Sequence, residues 1–216
     1  MDTIILAGGK GSRMEDTLPK ALVKLKGRAI LDYQLNYLNG KVDKIILALG
    51  HRAGEVISYV QEFHKDKSVD FSIENEPLGT GGAIKKALKL CATPKVLIIN
   101  CDDIADIDIK KLEKIKENAI CVAHPRLPFG LVKEKNGYAV FEEKPVLPDW
   151  VSCGWYAFNK DELIKLLPDK GSIEYEVFPK MKLKVYKHEG YWRSTNTKKD
   201  VDEVEKDGLP KVFGGK

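Results

Sequence analysis

The sequence predicts an α/β fold in which helices cover both faces of a mostly parallel central sheet. In about the first 120 residues, short continuous apolar runs such as IILAL and VLIIN alternate with segments whose apolar residues recur at helical spacing. Strands of parallel sheets have this continuous apolar character because helices bury both of their faces. The chain has 216 residues, of which 43% are hydrophobic and 31% charged, and this is enough to build one large core.

Each predicted element has its own local signal. The strand TIIL leads into a glycine-rich loop, and the helix RAILDYQLNYL ends at the stop signal Asn39-Gly40. Further strands are predicted at KIILALG, VDFSIEN and KVLIIN, and further helices at AGEVISYVQEFH, TGGAIKKALKL and IDIKKLEKIKE. After about residue 120, CVAHP, FGLVKEKNGYAVFEEKP and WVSCGWYAF predict strands, the second of them with a KNG hairpin turn. The helix DELIKLL, the segment SIEYEVFPKM, the strand KLKVYKH and the helix KKDVDEVEK follow, with no linker, so we predict a single domain over residues 1–216.

The composition disfavours several classes of partner. The net charge of +4 is modest, and the basic residues are interspersed with acidic ones, so we expect no nucleic-acid partner. No apolar run is long enough to cross a bilayer and the N-terminus shows no secretion signal, so we expect a cytoplasmic protein with no membrane partner. The four cysteines lack metal-site spacing and are expected to be buried as small apolar residues. None of the four scattered histidines is expected to be catalytic.

The glycine-rich stretch LAGGKGSRM is typical of a loop that holds a phosphate. A P-loop would need a later Gly-Lys-Ser/Thr, which is missing, and a dinucleotide fold would need a third glycine where Met14 stands. A tight turn without a ligand would explain the glycines. It would not explain the cluster of Lys10, Ser12, Arg13 and Lys20. Backbone N–H groups beside such cations suit a polyphosphate.

LAGGKGSRM followed by LPKAL resembles the signature of the sugar-1-phosphate nucleotidyltransferases, a shortened version of which molybdopterin nucleotidyltransferases share. The resemblance implies a Rossmann-like, three-layer α/β/α nucleotidyltransferase fold of the GT-A-like type. It implies a nucleotide-binding half over residues 1–120 and a sugar-phosphate acceptor half over residues 121–216. It also implies that the loop wraps a nucleoside triphosphate whose phosphates are held by Arg13 and Lys20. The loop residues expected to bind the nucleotide are Leu6, Ala7, Gly8, Gly9, Gly11 and Ser12.

Later motifs follow in the order of the same family and cover essentially the whole chain. ENEPLGTGGAI resembles the base-binding segment, and NCDD falls where the family has Asn-Gly-Asp, which implies that Asp102 binds magnesium. FEEKP resembles the segment that binds the sugar and its phosphate. Molybdopterin nucleotidyltransferases are not expected to have counterparts of FEEKP or ENEPLGTGGAI, so these motifs weaken that alternative. The resemblance implies further nucleotide contacts from Glu74, Gly79, Thr80 and Gly81. VSCGWYAF and SIEYEVFP resemble two later segments of the family. The resemblance implies that the sugar phosphate is bound by Gly130, Glu143, Lys144, Ser152 and Glu174.

The chemistry that the resemblance implies fits the side chains present. A sugar 1-phosphate is already a dianion at neutral pH and can attack the α-phosphorus of a nucleoside triphosphate without a general base. Catalysis then consists of positioning and charge neutralisation. We expect Arg13 and Lys20 to neutralise the triphosphate, Lys144 to neutralise the incoming phosphate, and Asp102 to anchor the cofactor Mg²⁺.

Glu74 indicates the base in part. Its carboxylate accepts hydrogen bonds and therefore complements the N1–H and N2–H edge of guanine or the amino group of cytosine. Guanylyltransferases of the family often have Glu at this position, which favours GTP, although uridylyltransferases sometimes do so too. The expected reaction is therefore transfer from GTP to a sugar 1-phosphate. The alternative is a cytidylyl- or uridylyltransferase acting on another phosphorylated sugar or alcohol.

The second metal ligand departs from the family pattern. The family's Trp-x-Asp-x-Gly-Thr segment corresponds to YWRSTNT, which offers Ser194 or Asn196 in place of the aspartate. An amide oxygen can bind Mg²⁺, more weakly than a carboxylate, and we expect Asn196 to do so. The missing carboxylate leaves open a second hypothesis, a catalytically weak regulatory protein that binds nucleotide sugars. The expected state is a monomer or a small homo-oligomer.

Overall fold

The computed structural model describes residues 1–9 and 18–214 of the chain. Its strands are β1 (Asp2–Leu6), β2 (Lys24–Leu25), β3 (Arg28–Ala29), β4 (Ile45–Leu49), β5 (Val69–Ile73), β6 (Lys95–Asn100), β7 (Asp103–Ala105), β8 (Ala119–Ala123), β9 (Leu131–Lys135), β10 (Tyr138–Glu142), β11 (Val151–Asn159), β12 (Lys184–Lys187) and β13 (Trp192–Ser194). Its α-helices are α1 (Ile30–Leu38), α2 (Ala53–Phe63), α3 (Gly79–Ala87), α4 (Ile109–Glu113), α5 (Lys160–Leu166), α6 (Ile173–Glu176) and α7 (Lys198–Asp207).

Seven strands form the central sheet in the order β12-β8-β11-β6-β1-β4-β5. Strand β1 pairs in parallel with both β4 and β6, and the β4–β5 and β8–β12 pairs are parallel as well. Strand β11 runs against both of its neighbours, β6 and β8. The mostly parallel sheet confirms the predicted fold class. Because β11 from the second half of the chain lies beside β6 from the first half, one sheet joins the two halves.

Helices cover both faces of this sheet, which gives three layers. Successive residues of a strand point to opposite faces, so Ile5 and Leu47 join one core cluster while Ile4 and Ile46 join the other. The first cluster is completed by α1, α2, α4 and α7, and the second by α3, α5 and α6. The continuous apolar runs of the sequence follow from this burial on two sides.

One predicted helix is shorter than the sequence pattern indicates. The segment IDIKKLEKIKE forms a helix only over α4, a span of five residues. The Lys95 ammonium donates hydrogen bonds to the carbonyl oxygens of Leu112 (3.3 Å), Glu113 (3.2 Å) and Ile115. This lysine from β6 thus satisfies the carbonyls at the helix end that a further turn would otherwise satisfy.

The predicted KNG turn joins β9 to β10 in an antiparallel hairpin. Asn136 and Gly137 have φ values of +54° and +82°, as a two-residue type I′ turn requires. The hairpin is a separate two-stranded sheet, and its strands are largely exposed. It therefore projects from the central layers and extends none of them.

All four cysteines are free and buried, as predicted. Among the described residues, no helix combines the length and the apolar character needed to span a bilayer.

Candidate active site

A cavity of about 710 Å³ opens at the carboxyl ends of β1, β4, β5 and β6. This is the edge at which parallel α/β sheets bind ligands, because the loops that follow the strands meet there. The residues that follow each strand supply the walls: Ala7, Gly8 and Gly9 after β1, Gly50 and His51 after β4, Glu74 to Pro77 after β5, and Cys101 and Asp102 after β6.

Most of the predicted nucleotide-binding residues lie in this cavity. Its lining includes Leu6, Ala7, Gly8, Gly9, Glu74, Gly79 and Thr80. Gly81 is buried instead, and its N–H donates to the carbonyl oxygen of Gly171 at 2.9 Å. Gly11, Ser12 and Arg13 lie outside the described residues.

Glycine at positions 8 and 50 lets the first two loops touch beneath Glu74. A Cβ on Gly8 would lie 2.9 Å from the backbone nitrogen of Gly50, and a Cβ on Gly50 would collide with Oε1 of Glu74. The other carboxylate oxygen, Oε2, accepts the N–H of Leu78 at 3.2 Å. Oε1 accepts no hydrogen bond from a described residue, so the carboxylate is held in place with one oxygen available to a ligand.

Lys20 forms the polar centre of the site. Its ammonium donates to Oδ2 of Asp102 and, at 3.0 Å, to Oδ1 of Asn196. The side chains of Lys20 and Asp102 are 20% and 19% exposed, so this ion pair is partly shielded from water. Three segments far apart in the chain thus supply one cluster, which contains three of the predicted catalytic and metal-binding residues.

The amide oxygen of Asn196 shares the Lys20 ammonium with the carboxylate of Asp102. The amide nitrogen of Asn196 donates to Oγ of Ser194 at 2.7 Å, which turns the amide oxygen towards Lys20. On the other side, the backbone carbonyl of Asp102 accepts both the N–H (2.8 Å) and the hydroxyl (2.9 Å) of Thr195. These bonds fix the backbone of Asp102 and the amide plane of Asn196 relative to each other.

Asp103 was not predicted as a site residue, and the structure shows that its buried carboxylate supports the site through hydrogen bonds. It is buried, and its carboxylate accepts the indole N–H of Trp192 (3.0 Å) and the amide N–H of Asn100 (3.3 Å). Burial, and after it the charge of Asp102, raises the pKa of Asp103 to about 7. Of the two consecutive aspartates, Asp102 therefore faces the cavity and Asp103 holds β7 against β13.

The oxygen atoms of this cluster are of the chemical type that Mg²⁺ binds. A carboxylate oxygen of Asp102 and the amide oxygen of Asn196 approach the same cation, here the Lys20 ammonium, and both are hard donors of the type that Mg²⁺ binds. Within the described residues, no group of three or more His, Cys, Asp or Glu side chains is arranged to hold a metal ion. A magnesium ion here would therefore need phosphate oxygens or water as further ligands.

A second cavity of about 200 Å³ lies beyond Asn196, and its lining includes Arg126, Ser194, Asn196 and Glu203. Glu203 accepts a hydrogen bond of 2.6 Å from the ammonium of Lys144. This hydrogen bond, together with the charges of Glu203 and Glu143, raises the pKa of Lys144. The backbone of Lys144 has φ +47°, an uncommon conformation that aims the side chain at α7. Glu203 and Arg126 belong to none of the family motifs named above, so the sequence did not predict them as site residues.

The other predicted acceptor residues are spread over three places. Glu174 lines the main cavity and accepts hydrogen bonds from the hydroxyls of Thr80 (2.9 Å) and Ser172 (2.5 Å). Glu143 and Gly130 lie together at the base of the β9–β10 hairpin. The hydroxyl of Ser152, on β11, is 2.9 Å from that of Tyr156. Neither cavity is lined by Gly130, Glu143, Lys144 or Ser152.

Comparison with known proteins gives consistent matches. Residues 2–205 match the family model described as Nucleotidyl transferase. The chain is 38% identical over 116 residues to a D-glycero-alpha-D-manno-heptose 1-phosphate guanylyltransferase of Aneurinibacillus thermoaerophilus, which is 52% of this chain and 50% of the relative. It is 31% identical over 225 residues to a mannose-1-phosphate guanyltransferase of Aspergillus oryzae, which is 93% of this chain and 62% of the relative. This chain thus spans less than two thirds of the length of either protein.

The fold has a close counterpart among solved structures. HddC from Yersinia pseudotuberculosis superposes with a TM-score of 0.79 at 29% identity, over 95% of this chain and 98% of HddC. A second structure of HddC, complexed with GMP-PN, gives a TM-score of 0.76 at 30% identity. At this coverage the similarity extends through both halves of the chain.

Proposed function

Because this chain belongs to the nucleotidyl transferase family, we propose that it transfers a guanylyl group from GTP to a sugar 1-phosphate and releases pyrophosphate. The observation that supports this most strongly is the contact of Lys20 with Asp102 and Asn196. Lys20 and Asp102 line the main cavity while Asn196 lines the second one. A charged cluster therefore connects the linings of the two cavities, and this is where the guanylyl group would pass from GTP to the acceptor.

The main cavity is the proposed nucleotide site. Its glycine-lined floor allows a close backbone approach to phosphates, and the Glu74 carboxylate offers acceptors to the N1–H and N2–H edge of guanine. The relatives reported above are guanylyltransferases by name, and one HddC structure holds GMP-PN. Together these favour GTP over CTP and UTP as the donor.

The second cavity is the proposed entry for the acceptor. Lys144 would bind the phosphate of a sugar 1-phosphate after leaving Glu203. This phosphate is a dianion near neutral pH, so one of its oxygens can attack the α-phosphorus directly. A new P–O bond then forms as the bond to pyrophosphate breaks, and no side chain has to remove a proton.

The residues at the junction would neutralise charge. Lys20 would bind the phosphates of GTP, and Asp102 and Asn196 would hold Mg²⁺. When bound, the ion would neutralise the phosphate charge at the reacting centre. The hydrogen bonds around Asp103 would keep Asp102 from moving as this charge shifts.

Measuring pyrophosphate release would test the proposal directly. GTP, CTP, UTP, dTTP and ATP would each be offered with mannose 1-phosphate, a heptose 1-phosphate and glucose 1-phosphate, with and without Mg²⁺. We expect release to require both a sugar 1-phosphate and Mg²⁺, and to be fastest with GTP. Lys20→Ala and Asp102→Ala should each lower kcat/KM by about a hundredfold or more.

The matched control is Lys24→Ala, which removes the same charge from an exposed position on β2 and should leave the rate unchanged. Fast release with CTP or UTP would contradict the choice of base. Tight binding of a GDP-sugar without any turnover would contradict the enzymatic proposal and favour a regulatory binding protein.

A further inference from the structure

The Lys20 ammonium stands at the position where the proposed function requires a metal ion. It contacts Oδ2 of Asp102 and, at 3.0 Å, Oδ1 of Asn196. These are the two oxygens that the chain itself would offer to Mg²⁺. An ammonium and a divalent cation cannot share one pair of oxygens at contact distance, because both are positively charged and each needs the same lone pairs.

The two oxygens are held more firmly than the lysine. Asn196 is anchored through Ser194, and the backbone of Asp102 through the buried Thr195. Lys20 follows Pro19 at the start of a three-residue 3₁₀ helix and reaches the oxygens along a flexible four-carbon side chain. The part of the cluster that can move at small cost is therefore the ammonium.

We propose that Lys20 is an internal counter-ion that occupies the oxygens of Asp102 and Asn196 until a nucleoside triphosphate draws its ammonium away. A divalent cation then enters the site together with the nucleotide and binds poorly before it. The proposal rests on the proposed function for the identity of the nucleotide and of the metal.

The direction of the effect follows from charge. A triphosphate offers the ammonium more negative charge and more acceptor oxygens than one carboxylate and one amide do. Once Lys20 has moved onto the phosphates, both oxygens are free and the positive charge beside them is partly neutralised. Without nucleotide, the lysine should suppress metal binding; a neutral side chain of similar length should remove this suppression.

The test is metal binding to the nucleotide-free protein. Mn²⁺ would be titrated into the wild-type chain, Lys20→Met and Lys20→Arg, with free Mn²⁺ measured by electron paramagnetic resonance. We expect Lys20→Met to bind one Mn²⁺ at least about tenfold more tightly than the wild type. Lys20→Arg, which keeps the charge, should bind as weakly as the wild type. The double variant Lys20→Met/Asp102→Ala should lose the gained site.

Lys24→Met is the matched control and should bind Mn²⁺ as the wild type does. Circular dichroism and thermal unfolding would verify folding, and Lys20→Leu, which also adds no metal ligand, would replace Lys20→Met if the latter does not fold. Equal or weaker Mn²⁺ binding by the folded neutral variant would overturn the proposal. Because this titration uses neither GTP nor a sugar, its result is separate from that of the pyrophosphate assay, so failure of one is distinguishable from failure of the other.

Discussion

A methyl group added at Gly154, on β11, should disturb the site. Its φ is +75°, and an added Cβ would overlap Oδ2 of Asp103, with Cγ of Asp103 at 2.7 Å and Nδ2 of Asn100 at 2.8 Å. The Asp103 carboxylate is buried and cannot swing out to solvent. Gly154→Ala must therefore either strain β11 or break the hydrogen bonds of the Asp103 carboxylate, which support the neighbouring Asp102.

Two costs add up in this variant. An L residue at this positive φ costs about 1–2 kcal/mol. Displacing the buried carboxylate from a donor that then stays unpaired costs about 1–3 kcal/mol more. The sum, about 2–5 kcal/mol, is a large part of the ~5–15 kcal/mol by which a typical domain is stable. For a chain of this length it corresponds to a fall in Tm of about 4–20 °C.

Urea unfolding followed by circular dichroism would measure the loss. The matched control is Gly40→Ala: Gly40 has a φ of +71°, but an added Cβ there would meet no heavy atom within 4 Å. This control should lose only the backbone cost of about 1–2 kcal/mol. An equal loss in Gly154→Ala and Gly40→Ala would refute the argument, because the collision with Asp103 would then contribute nothing. We also expect Gly154→Ala, and not Gly40→Ala, to lower kcat.

Gly50→Ala should push the Glu74 carboxylate aside and reduce the preference for GTP over ATP by about tenfold, measured as a ratio of kcat/KM values. An unchanged ratio would remove Glu74 from base recognition. Glu203→Gln should free Lys144 and lower the KM for the sugar 1-phosphate without changing that for GTP; a raised acceptor KM would instead make Glu203 a positioning residue. Burial opposes ionisation of Asp32. Its hydrogen bonds with His64 and Tyr59 nevertheless hold the pKa of Asp32 below its usual range. Its charge therefore stabilises the fold above about pH 4, and that stability is lost as the pH falls through the lower folded-state pKa. The destabilisation by Asp32→Asn at pH 7 should shrink at pH 3 in urea titrations, and a pH-independent difference would contradict this.

The sequence predicted the central sheet well because burial on two sides leaves a strong pattern. Strands β1, β4 and β6 are continuous apolar runs, and the loops that follow them carry the glycines and charges of the site. The prediction of the sheet succeeded because hydrophobic period indicates which segments are buried strands. The family resemblance assigned Lys20 and Asp102 to one site, and the structure brings their side chains into contact although they lie 82 positions apart; their roles remain predictions.

Other features depend on tertiary contacts that local patterns do not encode. Adjacent aspartates have no spacing signal that says which one is buried; strand pairing between β7 and β13 decides it for Asp102 and Asp103. Glu203 lies on α7, whose sequence is typical of a charged, solvent-facing helix, and only the approach of Lys144 makes it part of the site. The early end of α4 likewise depends on Lys95, a residue from a different element.

Both lysines expected to meet substrate phosphates are already paired with carboxylates, Lys20 with Asp102 and Lys144 with Glu203. The partly buried ammonium of Lys20 would be costly without a partner, so its pair with Asp102 stabilises the protein before substrates arrive. Phosphates can displace the carboxylates because they bring more charge and more acceptor oxygens. Asn196 eases this exchange: a second carboxylate at its position would hold Lys20 more tightly than a neutral amide does. If the proposed function holds, the amide would bind both the metal and the lysine more weakly than a carboxylate would, and the nucleotide would be the strongest ligand of Lys20.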